Sequence, residues 1–442
     1  MPNVFTQSLW GDEGFSAILS MKPFGEMIKI VANDTSPPLW NISEWLAFRL
    51  FGTGEPVIRA LSLFFFLITV FFVYKIGALI WNKKTGLLAG LLTALNPFFF
   101  TYAFEGRMYS IMAAGVAGSF YFFLKILKSK KPSKESLVGY VAFTLWALYS
   151  HHFAIFSVIT QGLWFLYDIL FGNNKAGRRI FKGFVFVALG YIPWLLPLYN
   201  QFTKVAGGFW LGRPDAKDLT FLLGEYLGAG VKHDLSFYAL PLTLGVLIFR
   251  RWGKKKKENL ILASWFLIPV LLTWGISQVF QPIFFNRYLL YTIPGAMILV
   301  ASNRTKISNI LIGAVIILYA MVDWFYFTNP AKIPFQNLAV FVKETRVENS
   351  LIINEDAGSH KLWEAKYYGI PAPIYSPEGN ELPFFVGTAL MAEEDFVDDI
   401  PDETLSLGVI TPKEGASLKI EDFITTEEKR FGNLNFVWME RD

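Results

Sequence analysis

The sequence has no cysteine and only 4 histidines among its 442 residues. The lack of cysteine excludes disulfide frameworks and thiolate metal sites, but it says little about compartment, because disulfide-free extracellular domains are common. Charged residues are also scarce, at 17%, whereas soluble globular proteins carry about a quarter. Hydrophobic residues make up 53% of the chain, and the mean hydropathy is +0.39. Together these values exclude an ordinary soluble protein.

The small net charge of +4 conceals two regions of opposite sign. Residues 329–442 carry 10 Lys and Arg against 21 Asp and Glu, whereas residues 1–328 carry 30 against 15. This asymmetry predicts a membrane domain over 1–328, with a first outer loop at 1–59, and an acidic, water-exposed domain over 329–442. It disfavours nucleic acid as a partner.

Apolar segments recur through the first domain. A helix that crosses a bilayer needs roughly 20 apolar residues, and the candidates are 60–81, 86–103, 108–127, 136–150, 153–171, 181–199, 235–250, 259–280, 288–302 and 307–327. The sequence therefore predicts a mostly α-helical, multi-pass membrane protein with about ten spans. The first ten residues lack a basic stretch followed by an apolar core, so they form no signal peptide. We expect that a first span is missing ahead of residue 1.

The loops between these segments alternate in character. One set is rich in Lys and Arg, which predicts a cytoplasmic location; it comprises 83–84, 125–134, 175–182, 250–257 and 304–306. The other set is mixed in sign and rich in Pro, Trp, Tyr and His; it comprises 1–59, 104–107, 151–152, 200–234 and 281–287. We therefore expect a plasma membrane protein whose second set of loops and C-terminal domain face outside.

The C-terminal domain alternates between two patterns. Strand-like runs occupy 350–354, 405–411 and 431–440, and helix-like stretches occupy 336–346, 360–368 and 416–426. This alternation predicts a small α/β layer on a parallel sheet. No Gly-rich phosphate fingerprint opens any of its helices, so nothing indicates a nucleotide domain.

Acidic residues of the first outer loop are the first candidates for chemistry. Asp12 and Glu13 are adjacent, and Asp34 precedes a Ser-Pro-Pro turn. Paired carboxylates beside a membrane suit general-base work or metal binding, because burial raises one pKa while the other group stays ionised. The alternative is that all three are solvated acids that cap helices or turns.

Two arginines lie at predicted outer membrane boundaries. Arg107 follows Glu105 at one boundary, and Arg287 precedes Tyr288 at another. A guanidinium stays charged and binds phosphate oxygens in bidentate fashion, so these positions suit a phosphate clamp. The alternative is that both arginines anchor helix ends by snorkelling.

Two further outer loops contain candidate substrate contacts. His151 and His152 point to different faces of a helix, which makes them a poor metal pair and favours one structural or substrate-contacting histidine. Loop 200–234 contains Trp210 and the run Lys232-His233-Asp234. Exposed aromatic residues beside a pocket can stack on sugars, although tryptophan is also expected at a membrane interface.

The order of these pieces resembles the GT-C membrane glycosyltransferases, especially the branch of protein O-mannosyltransferases and lipid A aminoarabinose transferases. The resemblance runs from about residue 9 to about residue 300. It rests on Gly11-Asp12-Glu13, Asp34-Thr-Ser-Pro-Pro-Leu-Trp40, Phe51-Gly-Thr-Gly-Glu55, Ile58-Arg-Ala-Leu-Ser62, Asn96-Pro97, Glu105-Gly-Arg-Met-Tyr109, Tyr149-Ser-His-His-Phe153 and Asn286-Arg-Tyr-Leu-Leu290. Ser36 departs from the pattern, because relatives often have histidine or lysine there.

The resemblance implies a GT-C fold and an inverting transfer of one hexose or pentose from a polyprenyl-phosphate donor. The acceptor would be a hydroxyl of a lipid, glycan or protein at the outer face, and a divalent metal ion is left open as cofactor. The implied roles are general base for Asp12, support for Glu13, second acid near the acceptor for Asp34, donor phosphate binding for Arg107, Arg287 and Tyr288, and substrate contact for Glu105, His151 and Trp210.

Two other classes of membrane protein also have many membrane-spanning helices. A transporter or flippase of lipid-linked sugars needs ionisable groups at mid-membrane depth or broken helices in paired halves. A non-catalytic scaffold or a glycan polymerase would not need the Asp12 carboxylate. The predicted spans carry almost no charge and show no repeat of one half in the other, which favours the transferase.

Overall fold

The computed structural model describes residues 3–129, 133–171, 175–229, 236–248, 255–347, 349–356, 360–377, 379 and 382–442. Parts of the predicted basic loops 125–134 and 250–257 lie outside these ranges, as do Lys232, His233 and Asp234. The chain divides into two compact units. The first unit combines Met1–Asp34, Glu44–Ile58 and Asn329–Asp442, and the second combines Thr35–Ser43 and Arg59–Thr328.

Helices dominate the chain, and strands occur near its carboxyl end. The helices are α1 (Gly11–Met21), α2 (Phe24–Asn33), α3 (Leu39–Phe51), α4 (Glu55–Ile80), α5 (Lys83–Ala94), α6 (Pro97–Thr101), α7 (Tyr109–Lys128), α8 (Lys134–Ser150), α9 (Ala154–Phe171), α10 (Lys175–Tyr191), α11 (Leu195–Ala206), α12 (Ala216–Gly224), α13 (Ser236–Ile248), α14 (Lys256–Val279), α15 (Asn286–Leu289), α16 (Ile293–Ser302), α17 (Lys306–Thr328), α18 (Phe335–Thr345) and α19 (Leu362–Tyr367). The strands are β1 (Ser350–Asn354), β2 (Ile374–Tyr375), β3 (Phe396–Val397), β4 (Ser406–Thr411), β5 (Phe423–Phe431) and β6 (Leu434–Arg441). The predicted class, a mostly α-helical membrane protein with a C-terminal α/β domain, is confirmed.

The strands of the first unit form one sheet in the order β3-β2-β1-β4-β6-β5. Strands β3, β2, β1 and β4 are parallel, and β6 and β5 are antiparallel to their neighbours. Successive side chains of a strand point to opposite faces, so Ile352 packs beneath α18 with Phe335 and Trp438, whereas Ile353 packs on the other face with Val437. Strands β1, β4 and β6 and helices α18 and α19 confirm five of the six predicted elements.

The predicted helix at 416–426 is wrong, and the sheet is mixed and not wholly parallel. Residues 423–431 form β5, which pairs with β6 across a two-residue turn so that Phe431 lies opposite Leu434. The turn contains Gly432 at φ 69°, a conformation that favours glycine. The β-branched run Ile424-Thr425-Thr426 favours a strand, and a hairpin partner only two residues away satisfies its backbone groups.

Within the described part of the chain, six helical stretches are long and apolar enough to cross a membrane: α4, α7, α9, Gly177–Ala206, α14 and α17. Helices α5 and α6 add a seventh if this pair, bent by 62°, counts as one span. Three predicted spans coincide with the shorter helices α8, α13 and α16, of 17, 13 and 10 residues. The protein is a multi-pass membrane protein, and the count of ten spans stays a prediction.

Two ion pairs connect helix ends in the second unit. Lys128 at the end of α7 lies 2.9 Å from Glu258 near the start of α14, and Asp168 near the end of α9 lies 2.7 Å from Lys257. Helices α7 and α9 therefore end where α14 begins. Their opposite ends, near residues 108 and 153, and the carboxyl end of α14 lie close in sequence to Arg107, His151 and Arg287.

Candidate active site

The first candidate group lies at the amino-terminal end of α1, which starts with Gly11-Asp12-Glu13. Glu13 is fully buried, and its carboxylate accepts a hydrogen bond from the Trp10 amide at 3.3 Å. The same carboxylate forms an ion pair with Lys332 Nζ at 2.7 Å. Acidic side chains are favoured in the first turn of a helix because they face the positive end of its dipole. Glu13 therefore fixes the turn that presents Asp12, which is partly exposed.

A third carboxylate, Glu364 on α19, belongs to the same group. Its oxygens lie 3.5 and 3.6 Å from the point that a side chain on Gly11 would occupy. Burial raises the pKa of Glu364 to about 7; the charge of Asp12 acts in the same direction, and Lys361, 3.8 Å away, acts against it. An acid that titrates near neutrality beside a second acid is a common feature of catalytic sites.

Close packing holds α1 on α19. A side chain at Gly14 would come within 2.9 Å of the backbone carbonyl of Trp363, so only glycine allows this approach. The rings of Phe15 and Trp363 meet edge to face at a centroid distance of 5.3 Å. Backbone contact of this kind leaves little room for α1 to shift relative to Glu364.

Asp34 lies at the carboxyl-terminal end of α2 and is partly exposed. Its amide donates to the Ile30 carbonyl at 2.9 Å, which closes the last turn of that helix. Its predicted role as a second acid near the acceptor stays a prediction.

The second candidate group lies in the second unit and surrounds Arg287. We call it the arginine–aromatic cluster; its members are Arg107, Tyr109, His151, Phe153, Phe285, Arg287 and Tyr288. The guanidinium carbon of Arg287 lies 5.0 Å from the ring centre of Phe285, 5.8 Å from that of Tyr109 and 5.9 Å from that of Tyr288. These distances are within the range of cation–π attraction. The predicted residues Arg287 and Tyr288 are thus placed on one aromatic platform.

His151 lies at the centre of this cluster, with its ring 5.1 Å from Tyr288 and 5.2 Å from Phe153. Its Nδ1 accepts a hydrogen bond from the Phe153 amide at 3.1 Å, which places the ring proton on Nε2. Burial holds the pKa of His151 well below its usual range, and the charges of His152, Arg107 and Arg287 act in the same direction. His151 is therefore neutral, and Arg107 and Arg287 both lie close enough for their charges to act on its ring.

Arg107 reaches the cluster from a tight turn that follows the bent α5–α6 pair. Asn96 caps α6 by accepting from the Phe99 amide at 3.0 Å, and Pro97 stands at the first helical position, where proline is favoured. The Ser62 hydroxyl and the Arg107 amide both donate to the carbonyl of Glu105, the latter at 2.8 Å. These bonds orient the segment that contains Glu105 and Arg107.

Hydrogen bonds also fix the loop before Arg287. Asn286 donates to Glu225 at 2.8 Å, and the Tyr226 hydroxyl donates to the Asn286 carbonyl. Burial raises the pKa of Glu225, whereas the bond from Asn286 lowers it. Trp210, 43% exposed, meets Phe285 edge to face at 4.9 Å. The predicted substrate contact at Trp210 therefore lies beside the cluster.

The sequence did not identify Lys332, Glu364 or Glu225 as candidates. No local motif marks them, and each lies far along the chain from its partner. Among the described residues, no group of three or more His, Asp or Glu side chains could hold a metal ion.

A small cavity of about 200 Å³ opens where the parallel strands β1 and β4 end. Asn354, Asp356, His360 and Lys361 contribute polar groups to its wall. It adjoins the first group through Lys361, the cation that acts on Glu364.

Residues 35–196 match the family model described as dolichyl-phosphate-mannose-protein mannosyltransferase. Comparison with curated protein sequences gives no significant match. The fold is similar to that of ArnT from Cupriavidus metallidurans in the apo state, with a TM-score of 0.67 at 14% identity over 98% of this chain and 94% of that chain. The same protein bound to undecaprenyl phosphate gives 0.65 at 12% identity, over 98% and 96%.

A third solved structure is more distant. The archaeal oligosaccharyltransferase AglB from Archaeoglobus fulgidus, in complex with an inhibitory peptide and a dolichol-phosphate, gives a TM-score of 0.52 at 11% identity. The match covers 92% of this chain and 66% of that chain. The resemblance to the GT-C membrane glycosyltransferases that the sequence motifs indicated is confirmed by these comparisons.

Proposed function

The chain has the fold of the GT-C membrane glycosyltransferases, and we propose that it transfers one sugar from a polyprenyl-phosphate donor to a hydroxyl acceptor with inversion. The reaction takes place at the outer face of the plasma membrane, where the C-terminal domain also lies. The acceptor is a hydroxyl of a lipid, glycan or protein of the cell envelope.

The observation that carries this proposal is the arginine–aromatic cluster. A polyprenyl-phosphate sugar presents a phosphodiester at the membrane interface, and its phosphate gains charge as the bond to the sugar breaks. Arg287 and Arg107, whose charges both act on the buried ring of His151, compensate this developing charge. Tyr288 and Glu105 contact the donor from the two segments that position these arginines. ArnT bound to undecaprenyl phosphate and AglB in complex with a dolichol-phosphate support this class of donor.

Asp12 is the general base. It takes the proton from the acceptor hydroxyl while the oxygen attacks the anomeric carbon on the face opposite the phosphate. The bond between that carbon and the phosphate oxygen breaks, and its electron pair leaves with the polyprenyl phosphate. One displacement of this kind inverts the anomeric centre. Glu13, fixed by Lys332, supports Asp12, and Asp34 is the second acid near the acceptor.

The basic loops support the sidedness of the reaction. Lys128 and Lys257 lie at the ends of α7 and α14 for which the charge pattern predicts a cytoplasmic location. The cluster is built from the opposite end of α7 and from the loops that flank α9 and α14.

Transfer in proteoliposomes tests this function. A polyprenyl-phosphate sugar and an acceptor extract should yield glycosylated product together with free polyprenyl phosphate, in equal amounts. Asp12→Asn should abolish product formation, whereas Asp422→Asn should not, because Asp422 is an exposed turn residue at φ 62°, which asparagine also adopts. Full activity of a folded Asp12→Asn variant would remove Asp12 from the base role.

The phosphate role is tested separately. Arg287→Ala should raise the KM for the donor more than the KM for the acceptor. Arg49→Ala is the matched control, because Arg49 also lies over an aromatic ring, that of Trp45 at 4.0 Å, in α3. Sugar movement across the bilayer without release of polyprenyl phosphate would instead indicate a flippase.

A further inference from the structure

Glu364 is a buried carboxylate that the proposed reaction has not yet used. It lies in the first turn of α19, 2% exposed, and contacts the first residue of α1. The Gly11 amide at the start of α1 acts on it as a hydrogen-bond donor. Amides in the first turn of a helix have no partner within the helix, so a carboxylate from elsewhere in the chain can satisfy them.

The position of Glu364 is set by its neighbours. Trp363 on one side packs against Gly14 and Phe15 of α1. The carboxylate therefore cannot move away from α1 without disrupting this contact. It is held next to Gly11, the residue that precedes the proposed base Asp12. Glu364 and Asp12 are more than 350 positions apart in the sequence.

We propose that Glu364 is a positioning residue for Asp12: it caps the helix that presents Asp12 and, when ionised, strengthens Asp12 as a base. This inference rests on the proposed role of Asp12. A negative charge close to a carboxylate favours protonation of that carboxylate, and proton transfer from the acceptor is helped by a stronger base.

The charged groups near Glu364 help to set the pH at which it ionises. Asp12 on α1 opposes its ionisation, and Lys361 on α19 favours it. Together with burial, the charges of Asp12 and Lys361 give Glu364 a pKa of about 7. The neutral form predominates below that pH, and the ionised form above it.

The test compares pH profiles of transfer in proteoliposomes. In the wild type, kcat should rise severalfold through a midpoint near pH 7, because the stronger base takes the acceptor proton faster. Glu364→Gln keeps an oxygen for the Gly11 amide but cannot ionise, so this rise should disappear while the donor KM stays unchanged. Lys361→Met should move the midpoint to higher pH. Glu364→Ala removes both cap and charge, and should lower kcat at every pH.

Two outcomes would overturn the proposal. One is a Glu364→Gln profile that retains the rise near neutral pH. The other comes from infrared spectroscopy of the purified protein, which does not depend on activity. The carbonyl band of protonated carboxyl groups at pH 6 should be stronger in the wild type than in Glu364→Gln, and equal intensity in both proteins contradicts the assignment. If the wild type shows no transfer but the infrared band behaves as expected, the proposed function fails while the carboxyl assignment of Glu364 stands.

Discussion

Glu13 and Lys332 form a buried ion pair, 2.7 Å apart, between residues separated by 319 positions in the sequence. Glu13 has no exposed surface, and the side chain of Lys332 is 15% exposed. The pair joins the first turn of α1 to the segment that precedes α18. Removal of one partner from a buried pair is far more costly than removal of both, because the remaining charge is left uncompensated.

Lys332→Met should therefore destabilise the protein by about 3–5 kcal/mol. The double variant Glu13→Gln/Lys332→Met should recover much of this loss. Thermal unfolding in detergent, followed by circular dichroism, measures both effects. Equal midpoints for the wild type and the single variant would show that the pair does not stabilise the fold.

Gly14→Ala should also destabilise the protein, by about 1–3 kcal/mol, since the added methyl group meets the Trp363 backbone at 2.9 Å. Gly25→Ala is the control, because a side chain at Gly25 in α2 has no neighbour within 4 Å. The two variants make the same chemical change in neighbouring helices. Since alanine has the higher helix propensity, Gly25→Ala should leave the stability unchanged or raise it slightly. A Gly14→Ala variant that is as stable as Gly25→Ala would show that contact with α19 does not restrict this position.

The stability of the first unit should depend on the ionisation of Glu364. The pKa of this group is raised from an ordinary 4.5 to about 7 in the folded protein, so its stabilising contribution is complete below about pH 4.5 and is lost as the pH rises through 7. The loss amounts to about 3.5 kcal/mol, from about 1.4 kcal/mol per pKa unit. Glu364→Gln should unfold at a higher temperature than the wild type at pH 8 but not at pH 5. A difference that is independent of pH would contradict this linkage.

Patterns local in sequence predicted three of the six strands in the sheet, β1, β4 and β6. The apolar run Ser350–Asn354 and the run at 405–411 are short and rich in β-branched residues, and both form strands. The pattern at 416–426 misled because a few apolar residues at helical spacing cannot be told from a strand without knowledge of the partner. The partner, β6, follows directly and overrides the weak local preference.

The candidate site residues also fall into two sets, one that the sequence identified and one that it did not. His151, Arg287 and Tyr288 could be grouped from sequence, because the charge of the loops assigns all three to one side of the membrane, and the structure brings them together. Lys332 and Glu364 could not be identified from the sequence. Both matter because they contact α1, and no motif spacing predicts those contacts. Hydrophobic periodicity cannot predict that a polar residue is buried when the burial results from packing between distant elements.

The first unit is built from both ends of the chain, and this has a consequence for biogenesis. During synthesis, Asp12 leaves the ribosome more than 300 residues before Lys332, Trp363 and Glu364. A chain that stops at residue 328 would contain every predicted span and the proposed base, yet α1 would lack its ion-pair partner and the helix on which it packs. The packing of α1 is thus completed only after residue 364 has been synthesised.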